Sequence, residues 1–378
     1  MKALYRYSWL PALAVLAVFS IGFFGCSSGG DSAPARVPSS QGIVTANTEA
    51  GTLSFFDIDN TTGQLSLFKT ISVYDNSAPT MVALHPVGAF FYVANSHAVD
   101  GNWLGSSAIS VYAIDFATET ATEITGSPFP AGDTLINIAI DPTGNYLYGA
   151  DQWNDTVLMF RIDPATGALT PLGLVDAYDT HGIAMHPSGQ FLFDGSESSY
   201  VRSWVIDPAT GGLTPAPNSP YAVEGCYVWL APTPDGKFLY AAGQDYFAGF
   251  AVNGTTGELT LLEGMPMYLD IDVNLKSIAI TPDGKYMYAA DFYSNVVAGL
   301  AIDAVTGGVT LVTEEPFPAG TMPKSVAVDE YGKFVYVANY GSDSISAYRI
   351  DAATGVLTAV GTYAAGDGPK FIFALPYD

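Results

Sequence analysis

Positive charge is scarce in this sequence. Its 378 residues hold 13 Lys and Arg against 37 Asp and Glu, a formal net charge of −24. A field of that sign repels polyanions, which argues against nucleic acid or an anionic membrane face as partner. Cysteine is as rare, with only Cys26 and Cys226, so no disulfide framework and no Cys-x-x-Cys-His haem attachment is available. The one Gly-x-Ser-x-Gly match, Gly25 to Gly29, follows the N-terminal apolar run rather than a strand-to-helix turn and is no nucleophile elbow, and there is no Gly-rich phosphate cradle. Asp57, Asp59, Asp270 and Asp272 are spaced as strand pairs rather than as a calcium loop. No metal centre and no cofactor is expected. Stability must rest on an apolar core and strand ladders, which a chain of this length can supply.

What the sequence has instead is a repeat. Residues 278–310 read Ile-Ala-Ile-Thr-Pro-Asp-Gly-Lys-Tyr-Met-Tyr-Ala-Ala-Asp, a short polar loop, then Val-Val-Ala-Gly-Leu-Ala-Ile-Asp-Ala-Val-Thr-Gly-Gly-Val-Thr. Apolar runs of strand length separated by turn residues predict an antiparallel meander. The Asp-to-Thr-Gly turn recurs from Asp59, Asp115, Asp163, Asp207, Asn253, Asp303 and Asp351, the second copy lacking its Gly. Seven aligned acids could suggest a metal array, but a carboxylate accepting from nearby amides and a left-handed Gly explain every copy as a turn. The second turn recurs at His85-Pro86, Asp141-Pro142, His186-Pro187, Thr233-Pro234, Thr281-Pro282 and Asp329-Glu330. Since Asp and Thr serve there as well, His85 and His186 read as turn residues rather than catalysts. The missing seventh unit is split: Lys370 to Ala374 begins it and Gly42 to Ile58 completes it. That predicts an all-β, seven-bladed propeller over 41–378, with four-stranded blades and a ring closed by pairing of the terminal strands. The 338 residues divided by seven give about 48 per unit, close to the length of a four-stranded blade.

The first 26 residues stand apart from this repeat. Lys2 and Arg6 precede an apolar run from Leu10 to Phe24 that ends at Gly25-Cys26, a pattern that resembles a bacterial lipoprotein signal with Cys26 as the lipidated residue. Phe23 and Phe24 depart from the usual residues of that box, which leaves an ordinary signal peptide or an uncleaved anchor as alternatives. Residues 27–40, rich in Ser, Gly and Pro, suit a flexible tether. The resemblance implies an envelope protein held to the membrane by lipid alone, and Ser27 after the Cys favours the outer membrane. Without Lys2 and Arg6 the chain keeps 13 − 2 = 11 cations.

Candidate site residues emerge by subtracting what all units share. Counting back five residues from the second turn gives the residue at the start of each inner strand: Thr80, Ile136, His181, Val228, Lys276, Lys324 and Lys370. Three of the eleven remaining cations fall in this column, on consecutive units. Their ammonium groups would converge at the channel mouth as a site for a small carboxylate or phosphate ligand. Asp151, Glu197 and Asp291 are expected on the same face, with Trp229 one residue into its strand. Cys226 reads as a small buried residue. One irregularity is a long loop between Asn95 and Ile109, carrying His97, Asp100, Asn102 and Trp103, which is either functional or a tolerated insertion.

Phe91-Tyr92-Val93-Ala94-Asn95, Tyr336-Val337-Ala338-Asn339 and the repeated Ile-Asp-x-x-Thr-Gly resemble the lactonase-type seven-bladed propeller family. That family includes bacterial 6-phosphogluconolactonases and fungal carboxymuconate cyclases, and the pattern is also similar to the Tyr-Val-Thr-Asn repeat propellers of surface proteins. The resemblance implies a channel-mouth set of a His, a Glu and arginines. Glu197 stands at the place of the Glu. His181 replaces an Arg, Ile136 stands where the His would be, and Val273 and Phe292 occupy the places of an Arg pair. The implied activity is hydrolysis of a small anionic lactone or sugar derivative. His181 or Glu197 would serve as base and Lys276 or Lys324 would hold the oxyanion. Lys370, Trp229, Asp151 and Asp291 would contact substrate. The substituted positions keep open the alternative of a non-catalytic propeller that binds a ligand or a partner protein at the cell surface.

Overall fold

Six of the seven Asp-to-Thr-Gly turns close hairpins in the computed structural model of the chain, which describes residues 41–73, 77–86, 90–97, 107–115, 120–269 and 273–376, the turn after Asp115 lying outside them. All of them belong to one unit, Pro38–Asp378. Cys26, the signal and tether segments, Asp100, Asn102 and Trp103 of the long loop, and Asp270 and Asp272 lie outside the described residues.

The strands form seven antiparallel sheets. Blade 5 is representative, with an inner strand Leu275–Ile280, a second strand Tyr286–Asp291, a third strand Val296–Ile302 and an outer strand Val309–Leu311. The inner strands of blades 1 to 7 are Ser77–Leu84, Leu135–Ile140, Thr180–Met185, Cys226–Pro232, Leu275–Ile280, Pro323–Val328 and Pro369–Pro376. Each packs on the next, and the seventh packs on the first. The split blade is formed as expected. Gln41–Asn47 pairs antiparallel with Pro369–Pro376 in the register Ile43 to Ala374 and Thr45 to Ile372, so the ring closes through hydrogen bonds between the two ends of the described chain.

The repeated residues are spent on joining blades. In the turns of Asp59, Asp163, Asp303 and Asp351 the carboxylate accepts from the amides two and three residues on; Asp303 Oδ1 accepts from Val305 at 2.9 Å and Thr306 at 2.8 Å. The turn Gly is required twice over. Gly355 has φ +74°, and a Cβ there would fall 2.4 Å from the Tyr286 ring of the preceding blade. Two residues along that strand, the buried Tyr288 hydroxyl donates to the Gly355 carbonyl at 2.8 Å. Tyr92, Tyr148, Tyr240 and Tyr336 make the same bond to Gly167, Gly211, Gly307 and Gly63. The second strand of blade 7 carries Val44 in place of the Tyr, and the blade 1 sequence is the one whose turn lacks the Gly. His85 and His186 are buried, and their Nε2 atoms lie 2.9 Å from the carbonyls of Gly144 and Gly236 in the next blade. They are turn residues that also bridge blades.

Candidate active site

The column at the start of the inner strands has a common backbone cause. Every one of its seven members is the extra residue of a β-bulge: pairing with the neighbouring strand skips Thr80, Ile136, His181, Val228, Lys276, Lys324 and Lys370. A bulge releases one side chain from the alternation of the strand and re-aims it. Here all seven turn toward the channel and line one cavity of about 620 Å³.

The floor is apolar. Trp229 of blade 4 and Phe371 of blade 7 lie with ring centroids 5.9 Å apart, and the indole N–H donates to the Ile278 carbonyl at 3.0 Å. Met81 completes the stopper. Over this floor the three lysines converge. Burial and the charges of its neighbours Lys324 and Lys276 push the Lys370 ammonium down to about 8. Lys324 is lowered to about 8 by burial and by Lys276, against the pull of Glu49. The Lys324 ammonium lies 3.3 Å from the centroid of the Tyr340 ring, whose hydroxyl donates to Glu49 at 2.5 Å. Phe292 stands between two blades with Lys276 at 5.9 Å and Lys324 at 5.8 Å from its ring centroid. Lys276 and Lys324 thus lie over aromatic faces, which leave their charge an attraction for an incoming anion.

Blade 3 closes the cavity on another side. His181 Nδ1 lies 3.3 Å from the Val228 carbonyl and Nε2 faces a carboxylate, both acceptors, so the single N–H of a neutral ring can serve only one of them. Nε2 is 3.4 Å from Glu197 Oε1. The approach depends on Gly182, whose added Cβ would fall 2.4 Å from the Val228 oxygen. Burial, then Lys370 and Lys276, lower His181 to about 4, although its side chain keeps 30% of its surface open to the cavity. The ring is therefore neutral at pH 7. Burial and the nearby Asp179 raise the Glu197 carboxyl, opposed by Lys276.

Asp151 and Asp291 are placed differently from the expectation of substrate contact. Both are buried and neither lines the cavity. Asp151 accepts from the amides of Asp133 and Thr134 at 3.1 and 2.9 Å, and Asp291 from Asn274 at 3.0 Å. Each ends a second strand and clamps the segment leading to the inner strand, as Asn339 does for Gly320 at 3.1 Å. Cys226 is a half-buried free thiol, raised by burial and by Glu197, so it is protonated. Among the described residues no group of three or more His, Cys, Asp or Glu converges on a metal position. One participant was not apparent from the sequence, Asp179, which lines the cavity beside His181, while Phe292, at the place of a channel-mouth Arg, stands within cation–π distance of two lysines.

Comparison with known proteins decides the family. The family described as lactonase, 7-bladed beta-propeller, matches residues 37–230 and 270–373, well over half of the chain. The chain belongs to the lactonase propeller family. The 6-phosphogluconolactonase of Pectobacterium atrosepticum is 26% identical over 178 residues, 45% of this chain. The match spans about half the length of that relative, 51%, so this chain is its distant homologue. A candidate 6-phosphogluconolactonase of Bacteroides uniformis superposes with a TM-score of 0.78 at 19% identity, covering 89% of this chain and 99% of its own. The periplasmic gluconolactonase of Pseudomonas aeruginosa gives 0.73 at 18% identity, with the same coverage of 89% and 99%. At these identities the structural likeness concerns the fold.

Proposed function

We propose that this lactonase-family propeller hydrolyses a small anionic lactone in the funnel. The observation that carries the reading is one arrangement: a neutral imidazole lining a cavity, 3.4 Å from a carboxylate, with three converging lysines on the other wall. The lysines draw in the anionic group. Water gives a proton to the unprotonated ring nitrogen of His181 as its oxygen bonds to the lactone carbonyl carbon, and the imidazolium that forms is answered by Glu197. An ammonium stabilises the tetrahedral oxyanion. The carbonyl then reforms, the ring C–O bond breaks, and the departing alkoxide takes a proton, so a hydroxy acid leaves. Lysines at about 8 are charged at pH 7 yet can release a proton to that alkoxide.

The distant 6-phosphogluconolactonase homologue and the periplasmic gluconolactonase of the same fold favour a sugar-acid lactone as substrate class. An envelope placement through Cys26 is part of the same proposal. The test is proton release from a panel of aldonolactones and their phosphates by the 41–378 domain, beside His181→Ala and Glu197→Gln. Loss of at least 100-fold in kcat in His181→Ala is expected. Turnover equal in all three proteins would overturn the assignment. Saturable binding of the hydroxy acid with no turnover by the unaltered domain would make it a receptor for the anion instead.

A further inference from the structure

Repetition makes a buried charge easy to weigh, because six other blades show what the position holds without it. In the second strands the residue matching Asp194 is Val93, Gly149, Ala241, Ala289, Val337 or Thr45, and in the third strands the residue matching Arg202 is Ser110, Leu158, Ala248, Ala298, Ser346 or Ser54. Blade 3 alone places an ion pair there. Asp194 is fully buried and Arg202 is 6% exposed, with Nη1 to Oδ2 at 2.8 Å. Such a pair seldom stabilises a fold relative to apolar residues of similar size, so its presence in the blade that carries His181 and Glu197 calls for another role.

The contacts of the pair define that role. Asp194 Oδ1 accepts from the Thr180 hydroxyl at 2.6 Å, and Arg202 Nη2 donates to the Tyr178 carbonyl at 2.5 Å. These two anchors bracket Asp179, a residue at φ +57° whose carbonyl accepts from the Glu197 amide at 3.3 Å and whose carboxylate accepts from the Ser198 hydroxyl. Thr180 immediately precedes the bulged His181. We infer that the buried Asp194–Arg202 pair is a positioning device that fixes segment 178–180 and thereby sets the His181 ring against Glu197 and the Val228 carbonyl. The inference rests on the reading of His181 and Glu197 as the acid–base pair, but its test does not need turnover.

The test replaces the pair by the apolar residues other blades use, Asp194→Val with Arg202→Leu, and follows the His181 imidazole by NMR titration. The chain has four His, and the His181 signal is the one lost in His181→Ala. In the unaltered domain the ring should stay neutral down to about pH 5, in a single tautomer. In the double variant the midpoint should rise by at least one pH unit and the tautomer preference should fade, while the melting midpoint is not lowered. Thr180→Val, which leaves the ion pair intact and removes one anchor, should shift the titration in the same direction, and Thr180→Ser should restore it. If hydrolysis occurs, kcat should fall about tenfold in the double variant with KM little changed. A His181 titration and tautomer unchanged in both the double variant and Thr180→Val would overturn the inference, whether or not the domain is a lactonase. A shifted titration in a domain that hydrolyses nothing would uphold the positioning role and remove only the enzymatic reading.

Discussion

Replacing Lys324 by Met should stabilise the protein at neutral pH. The folded-state ammonium is lowered from 10.5 to about 8, first by burial and then by Lys276. At about 1.36 kcal/mol per pH unit, holding this group charged costs the fold about 3 kcal/mol relative to the unfolded chain. The sign follows from proton counts. Below pH 8 both states bind the proton, and the cost is fully present. Between about 8 and 10.5 the folded state has lost it while the unfolded state keeps it, so the unfolded state binds more protons and stability rises with pH. Above 10.5 the cost is gone. Lys324→Met keeps the length of the stem against Tyr340 and removes the charge, and it relieves Lys370, whose own lowering owes part to Lys324. The expected gain at pH 7 is therefore about 3 kcal/mol, on the order of 5 °C in melting midpoint for a domain of this size, and the gain should vanish by pH 10.5. Melting curves of the two proteins from pH 6.5 to 10.5 measure it. A lower midpoint in the variant at pH 7, or a gain that does not change with pH, would refute the reasoning. The same variant should bind phosphate or a hydroxy acid more weakly, because the cost of crowding the ammonium groups is what an anion relieves.

The blade joints and the proposed lipid attachment make two further predictions. Tyr288→Phe should cost only about 1 kcal/mol, since blade 3 already carries Phe193 at that position, whereas Gly355→Ala, strained at φ +74° and 2.4 Å from the Tyr286 ring, should cost more than about 2 kcal/mol. Urea midpoints compare them, with Gly254→Ala, which meets nothing within 4 Å, as the neutral control; equal effects of the two Gly variants would contradict the joint. Cys26→Ser should abolish incorporation of labelled fatty acid and release the protein from the membrane fraction, and label retained in the variant would exclude Cys26 as the attachment point.

The fold could be read from the sequence because its signals are local and repeated. A Thr-Gly turn, a Pro-Asp-Gly turn and an aromatic strand each announce themselves within a few residues, and seven copies average out the noise of any one. The split blade was legible for the same reason, since Lys370 to Ala374 and Gly42 to Ile58 are two halves of one pattern. The column of Thr80, His181 and the lysines was legible as positions, but the bulge that turns them into the channel was not, because a bulge is a property of pairing between strands rather than of either strand. Asp151 and Asp291 misled for the opposite reason. They sit on the right face and carry the right charge, yet the amides of Thr134 and Asn274 had first claim on them.

Comparison between copies also carried a signal that residue chemistry alone did not. Lys276 and Lys324 attract notice as cations in an acidic chain, but Asp194 is one acid among 37 and becomes conspicuous only beside the Val, Ala, Gly and Thr of the other blades. In a repeat protein the common residues make the fold, and each copy tests whether a departure is needed for folding. Degenerate turns such as the one after Asp115 show that some departures are losses, matched by the loss of the Tyr at Val44. The Asp194–Arg202 pair differs from these. It adds a desolvation cost to a blade that six relatives in the same chain build without it, and it does so directly behind His181. Burial raises the Asp194 carboxyl to about 6 against the pull of Arg202, so at pH 7 the fold carries this charge at a loss, as it does that of Lys324. Both unfavourable charges lie behind or within one cavity, and it is their convergence there, more than any single side chain, that marks the funnel as the place where the propeller gives up stability for the function proposed for it.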